Sequence, residues 1–280
     1  MVFKELVDKL KTDRKLQKNI GLFAAMVVLS VTLLLFLFFI FKQQESPDLK
    51  EPTVSIMTPT TGPDSTSIPD STTNTTVPEN TIPTMLPHME ALYNQNSEIA
   101  GWLSIDNTVV DYPVMFTPDD PEKYIYKNFQ GRYDIKGSLF IDGHCNIDPE
   151  SDNIIIYGHN MLNGTMFRPI YLYKEESYWR EHPTIKYTTL YEEREYEVIA
   201  AFYDRVYYNY EDVFKFYRFI DAEDKADYEN AMMNYKNKAL YDTGVTAEYG
   251  DHLLTLVTCS GGYGGDGRFV VVLREKTDFK

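Results

Sequence analysis

"LLTLVTCSGGYGGDGRFVVVL", residues 253–273, ends one apolar run on a cysteine and opens the next on an arginine. Five of the eight residues between them, Ser260 to Gly267, are glycine. Two short runs rich in Val, Leu and Thr around such a loop read as a β-hairpin. Pairing 253–258 with 268–274 returns Arg268 to the side of Cys259. A thiol with its ordinary pKa of about 8.5 is mostly protonated at neutral pH, so a nucleophilic cysteine needs a cationic neighbour. A guanidinium is charged at any working pH and can later face a developing oxyanion. The glycines let the loop move or let a substrate backbone approach closely.

Five histidines compete to be the acid/base partner. His252 lies seven residues before Cys259, about 20 Å along a strand, which removes it unless the chain bends. His88 borders a low-complexity segment, His182 precedes a proline, and His144 shares a polar turn with Cys145. His159 differs: it follows the apolar run Ile154-Ile155-Ile156-Tyr157, in "YGHNM", where Gly158 permits a sharp exit. Strand ends are where scaffolds display catalytic side chains.

The competing reading of Cys259 is a disulfide with Cys145, the other cysteine of the chain. Geometry opposes it. If 138–142 and 153–157 pair as a hairpin, Cys145 sits in the turn and His159 leaves from the opposite end. Cys259 beside His159 would then be more than about 15 Å from Cys145, whereas a bridge needs Cα atoms within about 7 Å. The two readings exclude each other.

Around these residues the chain reads as β-rich. Short β-branched and aromatic runs at 108–115, 138–141, 153–157, 184–190, 195–203, 253–258 and 268–274 are separated by Gly, Pro, Asn and Asp turns. Met89, Leu92, Tyr93 and Ile99 suit a short amphipathic helix leading to Gly101-Trp102-Leu103. A longer helix is expected after Asp221 as its cap, with Ala226, Tyr228, Met232, Tyr235 and Ala239 at helical spacing. The picture is one domain, a barrel or sandwich with a helix inserted late. No Cys-x-x-Cys pairs, phosphate loop or G-x-S-x-G elbow is present. Asp142, Asp148, Glu150 and Asp152 lack the spacing of a calcium loop and read as a solvated turn. No metal or organic cofactor is expected.

The N-terminal part has a different character. Ile20–Phe41 carries no charge, and 22 helical residues would cover roughly 33 Å against a hydrocarbon core of roughly 30 Å. It reads as a transmembrane helix, and the lysines and Arg14 before it place residues 1–19 in the cytoplasm. The expected placement is therefore the cell membrane, single-pass, with the remainder extracellular. Residues 45–84 hold eleven Thr, five Ser and seven Pro, too few apolar groups to offset ordering entropy, so 42–84 reads as a disordered stalk. Residues 85–280 form the folded part. From residue 45 onward there are 20 basic and 39 acidic residues, a balance that makes nucleic acid or an anionic surface a poor partner.

"TLVTC", its short loop and "GRFVVV", with "NIIIYGHNMLNGTMF" a hundred residues earlier, resemble the sortases, Gram-positive surface transpeptidases. "YGHNM", "GTMF", the upstream "GWLSIDNTVVDYPVM" and the helix before the cysteine strand are similar to class B, over about residues 88–275. The resemblance implies a mainly β fold, a closed, mostly antiparallel barrel with N-terminal helices and a helix-bearing insertion at about 204–245. It implies Cys259 as nucleophile, His159 as general acid/base and Arg268 as oxyanion stabiliser, with Ile125, Tyr157 and Thr258 lining a groove for a sorting-signal peptide. An amine of a peptidoglycan precursor or a pilin lysine would be the acceptor. The glycine-rich loop after Cys259 departs from class B. Two alternatives remain at this point: a cysteine peptidase using water, and a tethered adhesion or binding module with a Cys145–Cys259 bridge.

Overall fold

The computed structural model describes residues 84–261 and 265–277. Eight strands close into a barrel: β1 (Ile99–Ser104), β2 (Asp111–Met115), β3 (Leu139–Ile141), β4 (Asn153–Tyr157), β5 (Thr184–Thr189), β6 (Glu193–Arg205), β7 (Leu253–Cys259) and β8 (Gly267–Glu275). Their order around the barrel is β1-β2-β3-β4-β7-β8-β6-β5, and β5 pairs back onto β1. β2/β3 and β4/β7 are parallel, and the other pairs are antiparallel. The chain is thus mainly β with a closed barrel, as expected. Closure removes the open edge that a sheet of this size would otherwise expose.

The strands that carry the site are buried on both faces, which is why they read as continuous apolar runs rather than alternating ones. Ile154, Ile155 and Ile156 of β4, Leu253 to Val257 of β7 and Phe269 to Leu273 of β8 all lie in the interior. Both expected hairpins form, β3 with β4 and β7 with β8. β1 is a strand where the sequence suggested the run-out of a helix. Its Trp102 is buried and donates its indole N–H to Asp111 at 2.7 Å. Helix α1 (Pro87–Tyr93) closes a smaller core over β1 and β2 through Met89 and Leu92.

Two short helices, α2 (Arg168–Leu172) and α3 (Glu176–Glu181), follow β4, and α4 (Lys225–Lys238) lies in the long connection between β6 and β7. The cap of α4 is Asp224, whose carboxylate accepts from the Asp227 N–H at 2.9 Å. Asp221, the expected cap, instead accepts from the Asp152 N–H and the Ser151 hydroxyl. The buried stripe of α4 is Tyr228, Ala231, Met232 and Tyr235, at i, i+3, i+4 and i+7; Ala226 faces solvent.

The single-pass membrane placement is corrected. Among the described residues no helix is long and apolar enough to cross a membrane. α4 has 14 residues, about 21 Å where a span needs roughly 30 Å. Ile20–Phe41, on which that expectation rested, and most of the 42–84 segment lie outside the described residues.

Candidate active site

β4 and β7 run side by side in parallel with Tyr157 opposite Val257. Just past these strand positions, His159 after β4 and Cys259 at the end of β7 both line the same cleft. β7 and β8 are antiparallel with Cys259 opposite Arg268. Cys259 follows His159 by 100 positions in the sequence and Arg268 follows Cys259 by nine, yet the strand order β4-β7-β8 gathers imidazole, thiol and guanidinium at one end of three adjacent strands. They border a single cleft of about 100 Å³, together with Ile125, Tyr157 and Thr258, so all six expected residues meet there.

The ladder between β4 and β7 does not simply stop at Tyr157. The Gly158 N–H donates to the Val257 carbonyl at 3.1 Å. The Thr258 hydroxyl donates to the Gly158 carbonyl at 2.8 Å, and the Asn160 side-chain amide donates to the Cys259 carbonyl at 2.7 Å. Side chains thereby continue the ladder past the strand ends, tying residues 158–160 to 258–259. Arg168 of α2 holds the Asn160 amide oxygen at 3.3 Å. Thr258 is buried with its hydroxyl engaged, so it meets the cleft as wall rather than as a free polar group.

Gly158 is required for space. A Cβ there would lie 2.6 Å from Leu139 Cδ2 and 2.7 Å from the Phe167 ring. The sharp exit anticipated from the sequence is a matter of close packing, since Gly158 is not among the residues with positive φ.

His159 is half-buried. Its Nε2 lies 2.8 Å from the Ile125 carbonyl oxygen, and its ring stacks on Tyr126 with centroids 5.5 Å apart. Arg268 donates from Nη1 to the Gly265 and Gly267 carbonyls at 2.9 and 3.0 Å. No carboxylate pairs with it among the described residues, so its charge is not neutralised before a substrate arrives. Tyr157 stacks on Phe140 at 5.6 Å and donates to the Asp142 carboxylate at 2.9 Å. Burial, reinforced by that carboxylate, pushes its phenol well above the usual range, so Tyr157 is a neutral wall.

Both cysteines are free. Cys145 is buried with its thiol against the Asn153 carbonyl at 3.5 Å, at the start of β4. Cys259 is exposed and lies six positions beyond Leu253, the β7 residue that pairs with Asn153, roughly 20 Å away at strand rise. The bridged adhesion module is therefore excluded, for the reason the hairpin geometry foresaw. Asn160, Tyr126 and Phe140 went unread in the sequence. Only Asn160 had a signal, its place directly after His159.

A family model described as the Sortase domain matches residues 103–276, more than half of the chain. The chain belongs to the sortase family. A protein named Sortase B from Listeria monocytogenes is 31% identical over 170 residues, covering 60% of this chain and 65% of its own length. One of the same name from Staphylococcus aureus is 27% identical over 187 residues, covering 67% and 73%. The solved Staphylococcus aureus sortase B–substrate complex superposes with a TM-score of 0.62 at 27% identity, covering 69% of this chain and 86% of that one. These relatives place the chain with the class B sortases. The match spans just under two thirds of the Listeria protein's length.

Proposed function

We propose that residues 85–280 are the catalytic domain of a cysteine transpeptidase that cuts a sorting-signal peptide and passes its acyl part to an amine. Cys259 is the nucleophile, His159 the general acid/base and Arg268 the oxyanion stabiliser. The observation that carries this reading is the register Cys259↔Arg268 on one side of β7 and Tyr157↔Val257 on the other, which brings all three groups to one cleft. A solved relative is described as a complex with substrate, which supports a peptide occupant here.

The thiolate attacks the carbonyl of the threonine in a Pro-x-Thr type motif, and the Arg268 guanidinium, its Nη1 anchored on backbone carbonyls, faces the oxygen that gains charge. His159 protonates the leaving amine, and the acyl group rests on sulfur as a thioester. An acceptor amine, from a peptidoglycan precursor or a pilin lysine, then resolves it while His159 takes the amine's proton. Ile125, Tyr157 and Thr258 line the groove for the peptide.

The test is product analysis: the full chain is incubated with a panel of sorting peptides, with and without an added amine. The reading predicts an amine-linked product and its loss in Cys259→Ala. Cleaved peptide with a free carboxylate as the sole product, whatever amine is added, would make the enzyme a peptidase instead.

A further inference from the structure

His159 is oriented by the backbone rather than by a carboxylate. Its Nε2 lies 2.8 Å from the Ile125 carbonyl oxygen, and among the described residues no acidic side chain pairs with it. A carbonyl oxygen only accepts, so Nε2 is the donor in the neutral ring and in the imidazolium alike. In the neutral ring this leaves Nδ1 bare. We infer that the Ile125 carbonyl, braced from behind by Gly137, is the positioning group of this site: it keeps a proton on Nε2 and makes Nδ1 the nitrogen through which His159 exchanges protons.

That carbonyl is held firmly. Ile125 sits in the irregular connection 116–138 between β2 and β3, and its neighbour Tyr124 is fully buried. The Tyr124 hydroxyl donates to Glu98 at 2.7 Å and accepts from the Asn96 amide at 2.7 Å, while the Tyr124 carbonyl accepts from the Ser138 N–H at 3.0 Å. Gly137 turns beneath this segment with φ +63°. A Cβ at Gly137 would collide with the Ile125 carbonyl oxygen and lie 2.8 Å from that of Tyr124. From the other side, the Tyr126 ring stacks on the imidazole with an interplanar angle of 27°. The His159 carbonyl accepts from the Phe167 N–H at 2.9 Å, so ring and backbone are both fixed.

The inference rests on His159 being the acid/base. The Cys259 proton moves to Nδ1, and the thiolate forms the S–C bond as the carbonyl electron pair moves to oxygen. Collapse restores C=O and breaks C–N, and the departing nitrogen takes the proton from Nδ1. The acceptor amine then bonds to the carbonyl carbon, gives its proton to Nδ1 as S–C breaks, and the thiolate recovers that proton. Nε2 holds its own proton throughout.

The test is NMR of the full chain with 15N-labelled histidine, His159 being assigned by the resonance missing from His159→Gln. Above the titration of the ring, long-range 15N–1H correlations should show a single tautomer with hydrogen on Nε2. Hydrogen on Nδ1, or a mixture of tautomers, would overturn the inference. In Gly137→Ala a second tautomer should appear and kcat should fall on the order of 10-fold with KM little changed. A folded variant with one tautomer and undiminished kcat would remove Gly137 from this role. The wild-type spectrum decides whether or not that variant folds. Failure of the wider reading would look different: His159→Gln would retain transpeptidation even though the wild-type ring is on Nε2.

Discussion

Two cysteines of one chain meet opposite environments. Cys145 lies in the core, and burial, with Asp142 adding to it, pushes its thiol up to about 12. Since a raised pKa keeps the proton on and only the thiolate reacts, Cys145 should stay inert to alkylation from neutral pH until the solution nears that value. Cys259 is exposed at a strand end. Iodoacetamide at neutral pH should therefore add once per native chain, at Cys259, as read by peptide mapping; modification of Cys145 in the folded protein would contradict its burial. Gly158 offers a second test at this scale. Gly158→Ala drives a methyl into Leu139 and Phe167 and should cost about 1–3 kcal/mol in denaturant unfolding, the usual range for overpacking. The place of Cys259 beside Arg268 was open to reading from the sequence because the two apolar runs around the glycine-rich loop read as a hairpin. The Ile125 carbonyl was not, since every residue has a carbonyl and nothing in the side chains of "EKYIYKNF" tells where it points.

Among the elements, β4, β7 and β8 were legible in full, because strands buried on both faces leave uninterrupted runs bounded by glycine or polar turns. β1 was hidden: "IAGWLS" follows directly on a helical pattern, and its glycine and tryptophan carry no alternation. The cap of α4 slipped by three residues because "DAEDK" holds two aspartates, and only the tertiary contact of Asp221 with residues 151 and 152 decides between them. The clasp between strand ends was invisible for a related reason. Asn160 meets Cys259 across 99 positions, a pairing that exists only once β4 and β7 lie parallel. Asn160→Ala should lower kcat/KM about 10-fold, by loosening the alignment of thiol and imidazole, with little loss of thermal stability because the site is half exposed. A large fall in Tm with kcat/KM intact would show the clasp to be structural only.

Over the whole molecule, the barrel acts as a frame that converts register into chemistry. The closed order β4-β7-β8 fixes which residues share the rim, and the long connection with α4 packs outside it through Tyr228, Ala231, Met232 and Tyr235. Lys238 at the end of α4 reaches the buried carboxylate of Asp204 at 2.7 Å, and Asp204 stands opposite Arg268 in the β6/β8 ladder. Arg268 itself donates to backbone carbonyls and, among the described residues, pairs with no carboxylate. Arg268→Ala should reduce kcat by about 100- to 1,000-fold if it serves the oxyanion, and Arg268→Lys should recover little, because a point charge does not reproduce the guanidinium fork. Equal kcat in both variants and wild type would dismiss that role. What charge and hydropathy suggested about residues before 84 lies outside the described residues.

The most direct test of the central claim is the intact mass of the full chain after brief exposure to a sorting peptide in the absence of amine, followed by peptide mapping. The account predicts a single acyl adduct on Cys259, released by hydroxylamine as a thioester is, and no adduct in Cys259→Ala. An adduct that persists in that variant, or that maps to another residue, would contradict it.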